Sequence, residues 1–220
     1  MSEKIFQLRR PRRANEALTA PLTAGERTAM IEAAASRLEE LFHVLQIDHR
    51  NDHNTRDTPR RVAKMLVEET LAGRFSSPPK ITTFDNAQGF DGMIVTGPIE
   101  VRSTCAHHLM PIVGEAYIGI LPSASGRIVG LSKYDRVVDH FSRRLQIQEE
   151  LTQQIGLHLM DLTAPRGLAV RISATHMCKT HRGVQATHQS RMVTFCYLGD
   201  FSNDPMSRRE FTRECAYVAR

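Results

Sequence analysis

The run Gly167-Leu168-Ala169-Val170-Arg171-Ile172-Ser173-Ala174-Thr175-His176-Met177-Cys178 spaces Leu168, Val170, Ile172 and Ala174 two residues apart. That is the period of a strand with one face in a core. At the same parity the strand continues to His176 and Cys178, so both are expected to point to the buried face. Outward from this run the texture repeats. Met93–Val95, Ile99–Thr104, Ala116–Leu121 and Ile128–Gly130 precede it, and a stretch from Arg191 to Leu198 follows, all short and rich in β-branched residues. They predict antiparallel strands.

Helical signals interrupt and flank these strands. Ser132 with Asp135 predicts a capped helix carrying Tyr134, Val137, Val138 and Phe141, and Ile147, Leu151, Ile155, Leu159 and Leu162 mark another. A last helix is expected with Asp204 as N-cap, Pro205 at its first position, and Phe211, Cys215 and Val218 on one face. Before the strands, Thr23 and Glu26 form a capping box for a helix through Met30, Ala34, Leu38, Leu41 and Leu45. A second helix starts with Thr58 as N-cap and Pro59 behind it, buries Val62, Met65, Leu66 and Leu71, and stops near Gly73. The order favours an α+β fold over a parallel, doubly wound sheet. It divides into a basic flexible arm over 1–20, an N-terminal helical segment over 21–90 and a sheet domain over 91–220.

Composition narrows the function. A chain of 220 residues with 41% hydrophobic and 24% charged residues and a mean hydropathy of -0.32 reads as an ordinary globular protein. No apolar run is long enough for a bilayer, and Met1–Arg13 lacks the pattern of a secretory signal, so a cytoplasmic address and no membrane partner are expected. The net charge is +5, but Lys4, Arg9, Arg10, Arg12 and Arg13 against Glu3 and Glu16 place +3 of it in the first 20 residues. The body is nearly neutral, which argues against nucleic acid. Four cysteines make no disulfide framework; Cys196 and Cys215, on apolar faces, read as small core residues.

The reactive residues cluster. Cys105-Ala106-His107-His108 closes a predicted strand, and a thiolate and imidazole so spaced can reach one metal, zinc above all, although such a pair alone fixes nothing. His107 and His108 also fit a plain surface pair, and Cys178 a core position. If Cys178 joins Cys105 and His108, three protein ligands leave one position for water, with His107 and His176 beside it. A second set suits a polyphosphate. Arg61 with Lys64, and Lys133 with Arg136 after Ser132, share helix faces, and Arg182 follows the His176/Cys178 strand. Gln148-Glu149 opens a helix, where a carboxylate can accept from a guanine edge.

Taken together, Cys105-Ala106-His107-His108-Leu109, Gly130-Leu131-Ser132-Lys133, Arg136, Gln146–Thr152, His176-Met177-Cys178, Arg182-Gly183-Val184 and Thr58–Met65 resemble GTP cyclohydrolase I in order and spacing, over about residues 25 to 220. The resemblance implies the T-fold, with an antiparallel sheet and helices on one face behind an N-terminal helical pair, assembled as a homodecamer. It implies hydrolysis of GTP at guanine C8, release of formate, ribose rearrangement and closure to 7,8-dihydroneopterin triphosphate. Zinc ligands would be Cys105, His108 and Cys178, and acid/base residues His107 and His176. Triphosphate contacts would be Arg61, Lys64, Ser132, Lys133, Arg136 and Arg182, with Gln148 and Glu149 on guanine. Ala106 stands where the family usually has glutamate, and Lys179-Thr180-His181 differs from many members. The alternative is a T-fold paralogue acting on another purine or pterin, or a zinc- and nucleotide-binding relative without turnover.

Overall fold

The computed structural model describes residues 13–218. They divide into two compact units at Ser77/Pro78. In the first unit, α1 spans Ala24–Val44 and opens on the expected box: Thr23 Oγ1 accepts from Glu26 N at 3.3 Å, and Glu26 Oε2 accepts from Thr23 N at 2.9 Å. Two of its orphan amides are thereby satisfied. α2 spans Thr58–Met65 with Asp57, one residue earlier than expected, as N-cap; a π-turn over Leu66–Thr70 and the short α3, Ala72–Phe75, follow.

The buried row of α2 and the π-turn runs Pro59, Ala63, Val67 at intervals of four, and Ala63 and Val67 pack with Ile31, Ala35 and Phe75. Met65, expected inside, is 38% exposed. It follows Ala63 by two residues, about 200° around the helix. Of the arm expected over 1–20, positions 1–12 lie outside the described residues. From Arg13 the chain is tied down: Arg74 Nη1 donates to the carbonyls of Arg13, Ala14 and Glu16 at 2.9, 3.1 and 2.7 Å, and Leu18 packs against the core of this unit.

The second unit is built on a five-stranded sheet ordered β5-β2-β3-β6-β7: β2 Ile94–Cys105, β3 Pro111–Leu121, β5 Leu145–Gln146, β6 Gly167–His176 and β7 Met192–Gly199. A separate pair joins β1, Thr83–Asp85, to β4, Arg127–Val129. The two runs that Gly97-Pro98 separates in sequence form one strand, β2, with irregular register between Thr96 and Ile99. Neighbours in the large sheet are antiparallel except β5, which lies parallel to β2 with Cys105 opposite Gln146. Register on β3 positions the later chemistry: Pro111 pairs with Thr104 of β2, and Ile112 pairs with His176 of β6.

Leu168, Val170, Ile172 and Ala174 are all fully buried, as their alternation requires. They share one core with α4 (Ser132–Ser142) through Tyr134, Val137, Val138 and Phe141, and with α5 (Gln148–Thr163) through Leu151, Ile155 and Leu159. The two inserted helices thus occupy one face. Residues of opposite parity, Tyr117 and Ala169, pack instead with Phe201 of α7 (Asp200–Asn203) and with Phe211 and Cys215 of α8 (Pro205–Val218). Asp204 caps α8, accepting from Met206 N and Ser207 N. Val218, expected on the apolar face of that helix, is 41% exposed. No helix among the described residues is long and apolar enough to cross a membrane.

Candidate active site

β2 delivers Cys105 to its final position, 3% exposed, and the chain turns at once. Cys105 N donates to Met110 O at 2.8 Å, and Leu109 N donates back to Cys105 O at 3.0 Å, with Leu109 at φ 54. Ala106 N donates to Gln146 O at 3.0 Å, which fastens the turn to β5. The tie is made by backbone, so alanine at 106 keeps it. His107 and His108 stand exposed on this turn, ring centroids 6.3 Å apart and edge-on. His107 Nδ1 lies 3.8 Å from Cys105 Sγ.

β6 stops at His176, two residues short of the strand the sequence suggested. Met177–Thr180 form the helical turn α6. Cys178 therefore reaches the site by a turn of helix and not by strand parity, which would have buried it in the sheet core. There it is half-buried, and the ligand atoms of Cys105, His108 and Cys178 lie within 4.8 Å of one another. Tetrahedral sulfur and nitrogen ligands sit about 3.5–4 Å apart around one ion. Two soft thiols and an imidazole so gathered could hold a metal. Burial, and next the adjoining Cys105 thiol, push the Cys178 thiol up, a cost that a cation between the two sulfurs removes.

His176 is half-buried. Its Nε2 is 2.7 Å from Gln148 Oε1. Burial lowers its pKa, and Glu149 opposes that shift. Gln148, expected to reach out to substrate, is instead fully buried: its Nε2 donates to Ile172 O, Met192 O and Thr194 Oγ1 at 3.2, 3.1 and 3.1 Å. Behind it Thr152 Oγ1 donates to Gln148 O at 2.7 Å and lies 2.6 Å from Thr194 Oγ1. The sequence reading missed Thr152 and Thr194. Only the i, i+4 step on α5 and the pairing of Thr194 with Ile172 bring them together.

The remaining candidates lie at the surface. Arg182 is exposed after α6, with Nη1 3.0 Å from His108 Nε2, and Glu149 is exposed in the first turn of α5. Ser132, Lys133 and Arg136 occupy the first turns of α4. Leu131, not Ser132, is the N-cap residue, and no side chain caps the helix. Arg61 and Lys64 belong to the first unit, where Arg61 pairs with Asp57 at 3.5 Å and Lys64 with Glu68 at 3.8 Å.

Comparison with known proteins agrees over most of the chain. A family profile described as GTP cyclohydrolase I matches residues 34–216. A GTP cyclohydrolase 1 of Shewanella denitrificans is 40% identical over 196 residues, covering 89% of this chain and 87% of that protein. One of Shewanella oneidensis is 39% identical over 198 residues, covering 90% and 88%. Among solved structures, the archaeosine synthase QueF-Like in its apo form aligns at a TM-score of 0.38 and 13% identity, over 49% of this chain and 92% of that one.

Proposed function

Since the chain belongs to the GTP cyclohydrolase I family, with its T-fold and its GTP cyclohydrolase activity, we propose how its own residues perform that reaction. GTP is hydrolysed at C8 of guanine, formate leaves, and the rearranged ribose closes onto the opened ring to give 7,8-dihydroneopterin triphosphate. The observation that carries this reading is the gathering of Cys105, His108 and Cys178 around one point, from the ends of β2 and β6.

Cys105, His108 and Cys178 would hold zinc, whose donor preference matches two thiolates and an imidazole. Bound there, zinc supplies Lewis-acid activation of water at neutral pH. His176 exchanges a proton with the purine ring nitrogen as C8 is attacked. His107, exposed on the adjoining turn, serves the later transfers of ring opening. Imidazoles suit several such steps because their ordinary pKa lies near neutrality. Ser132, Lys133, Arg136 and Arg182 grip the triphosphate away from the reacting carbon, so binding energy there orients C8; for Arg61 and Lys64 a triphosphate contact is carried over from the family resemblance alone. Glu149 accepts from the N1 and amino protons of guanine. Gln148, engaged at both ends, is released from that task. The homodecamer that goes with the family is carried over as part of the proposal.

The test is GTP turnover by purified, metal-analysed protein, following formate and the fluorescence of the oxidised pterin in one sample. Both products with about one zinc per chain are the expected result. Bound zinc with neither product would show a site retuned for another purine, and Ala106 would be the first residue to restore to glutamate.

A further inference from the structure

Gln148 sits behind the proposed acid/base histidine, and its amide has no freedom to turn. Two of the groups facing its Nε2 are backbone carbonyls, Ile172 O on β6 and Met192 O on β7. A carbonyl only accepts. Turning the amide over would set its oxygen against both of them at hydrogen-bond distance and remove the amide donor that the buried Ile172 O faces. The third partner, Thr194 Oγ1, is accounted for as well. Thr152 gives its proton to Gln148 O, so Thr194 gives its own to Thr152 and accepts from the Gln148 amide, whose two protons are shared among three acceptors.

With the NH₂ end committed, the end that faces His176 is Oε1, at 2.7 Å from Nε2. An amide oxygen cannot donate, so this contact needs a proton on Nε2. In a neutral imidazole the other nitrogen, Nδ1, then carries the lone pair. The sheet register thereby determines a tautomer through one side chain: β6 and β7 orient the amide, and the amide orients the proton.

We infer that Gln148 is a positioning residue that holds His176 as the Nε2–H tautomer, so that Nδ1 is the atom exchanging protons with the substrate. The inference rests on the acid/base role of His176 proposed above. It replaces the guanine contact that the sequence suggested for Gln148, and the two roles predict different kinetics.

The experiment uses the zinc-loaded full chain labelled with ¹⁵N-histidine. Solid-state NMR reads the protonation of each ring nitrogen, and His176 is assigned as the signal lost in His176→Gln. The expected wild-type signature is a protonated Nε2 and a bare Nδ1, before any GTP is added. Gln148→Met keeps the length of the side chain and removes both amide ends. It is expected to keep its zinc, to show His176 as a mixture of tautomers, and to lose kcat about tenfold or more while KM for GTP stays within about twofold. A wild-type His176 with its proton on Nδ1 would overturn the inference, and that measurement needs no variant to fold. A Gln148→Met enzyme with a raised KM, an unchanged kcat and a single Nε2–H tautomer would also overturn it, returning Gln148 to the substrate. Failure of the functional reading shows separately, as wild-type protein with no GTP turnover whatever the tautomer.

Discussion

The wall behind His176 and the polar rim proposed to bind GTP are built on opposite principles. Behind His176, Gln148 is fully buried, Thr152 is 1% exposed, and every donor of the Gln148 amide meets an acceptor. On the rim Lys133 is half-buried, while Ser132, Arg136, Glu149 and Arg182 are exposed, on first helical turns or in the loop after α6. Proton transfer needs an atom held to within a fraction of an ångström, and a packed, satisfied network supplies that. A triphosphate carries several charges and tolerates looser partners, because long-range attraction forgives position more than a hydrogen bond does. Sequence motifs mark both regions, but burial alone separates the residues proposed to hold from those proposed to bind.

Breaking the metal end of the wall is expected to have the largest effect. Cys178→Ala should take zinc from about one per chain to near none and abolish GTP turnover with it; full zinc retention would remove Cys178 from the ligand set. Next come His176→Ala and His107→Ala, each expected to keep zinc while kcat drops about 10²–10⁴-fold. A ring-opened formamide accumulating in only one of them would order the two steps. The rim should yield less. Arg136→Ala is expected to raise KM for GTP about tenfold, about 1.4 kcal/mol, with kcat nearly kept. A fall in kcat alone would move Arg136 from the rim to the wall.

The smallest effect concerns how α4, which carries part of the rim, is anchored. His140, 7% exposed near its end, takes a hydrogen bond at 2.8 Å from Arg144 Nη2, and burial followed by that guanidinium lowers its pKa to about 4. An unfolded histidine titrates near ~6.5. Between those values the unfolded chain binds the proton and the folded chain does not. The contribution is therefore complete above about pH 6.5 and is lost as pH falls toward 4. The urea midpoint of the wild type should fall between pH 7 and pH 5 by more than that of His140→Gln. Equal falls would show that α4 is anchored by other groups.

What the sequence made legible follows the range of the interactions concerned. The Thr23–Glu26 box spans four residues and the Leu168–Ala174 alternation seven, and both appear in the structure as read. Cys105 with His108 was legible for the same reason. Cys178 was named correctly as a neighbour but for a wrong reason, since a strand continued through Met177 and a helical turn starting there look alike over three residues. β5 gave no signal: two residues, Leu145 and Gln146, pair with Thr104 and Cys105 some forty positions away. Gln148 reads as solvent-facing because a polar residue beside Glu149 at a helix start does, and the structure buries it. Its partners Ile172, Met192 and Thr194 come from two other strands.

The register on β3 bears on which changes in length this chain can survive. Thr104 opposite Pro111 and His176 opposite Ile112 hang the Cys105–His108 turn and the proposed acid/base residue from two consecutive positions of one strand. An extra residue in the stretch 122–126, or after Arg182, leaves both pairings untouched. An extra residue between 111 and 112 slips one pairing against the other, and a slip of one turns every side chain beyond it to the opposite face, while an extra residue from 105 to 110 lengthens the turn that carries His107 and His108. Insertions and deletions should therefore accumulate freely in the outer connections of related chains, while the eight positions from Cys105 to Ile112 keep their count.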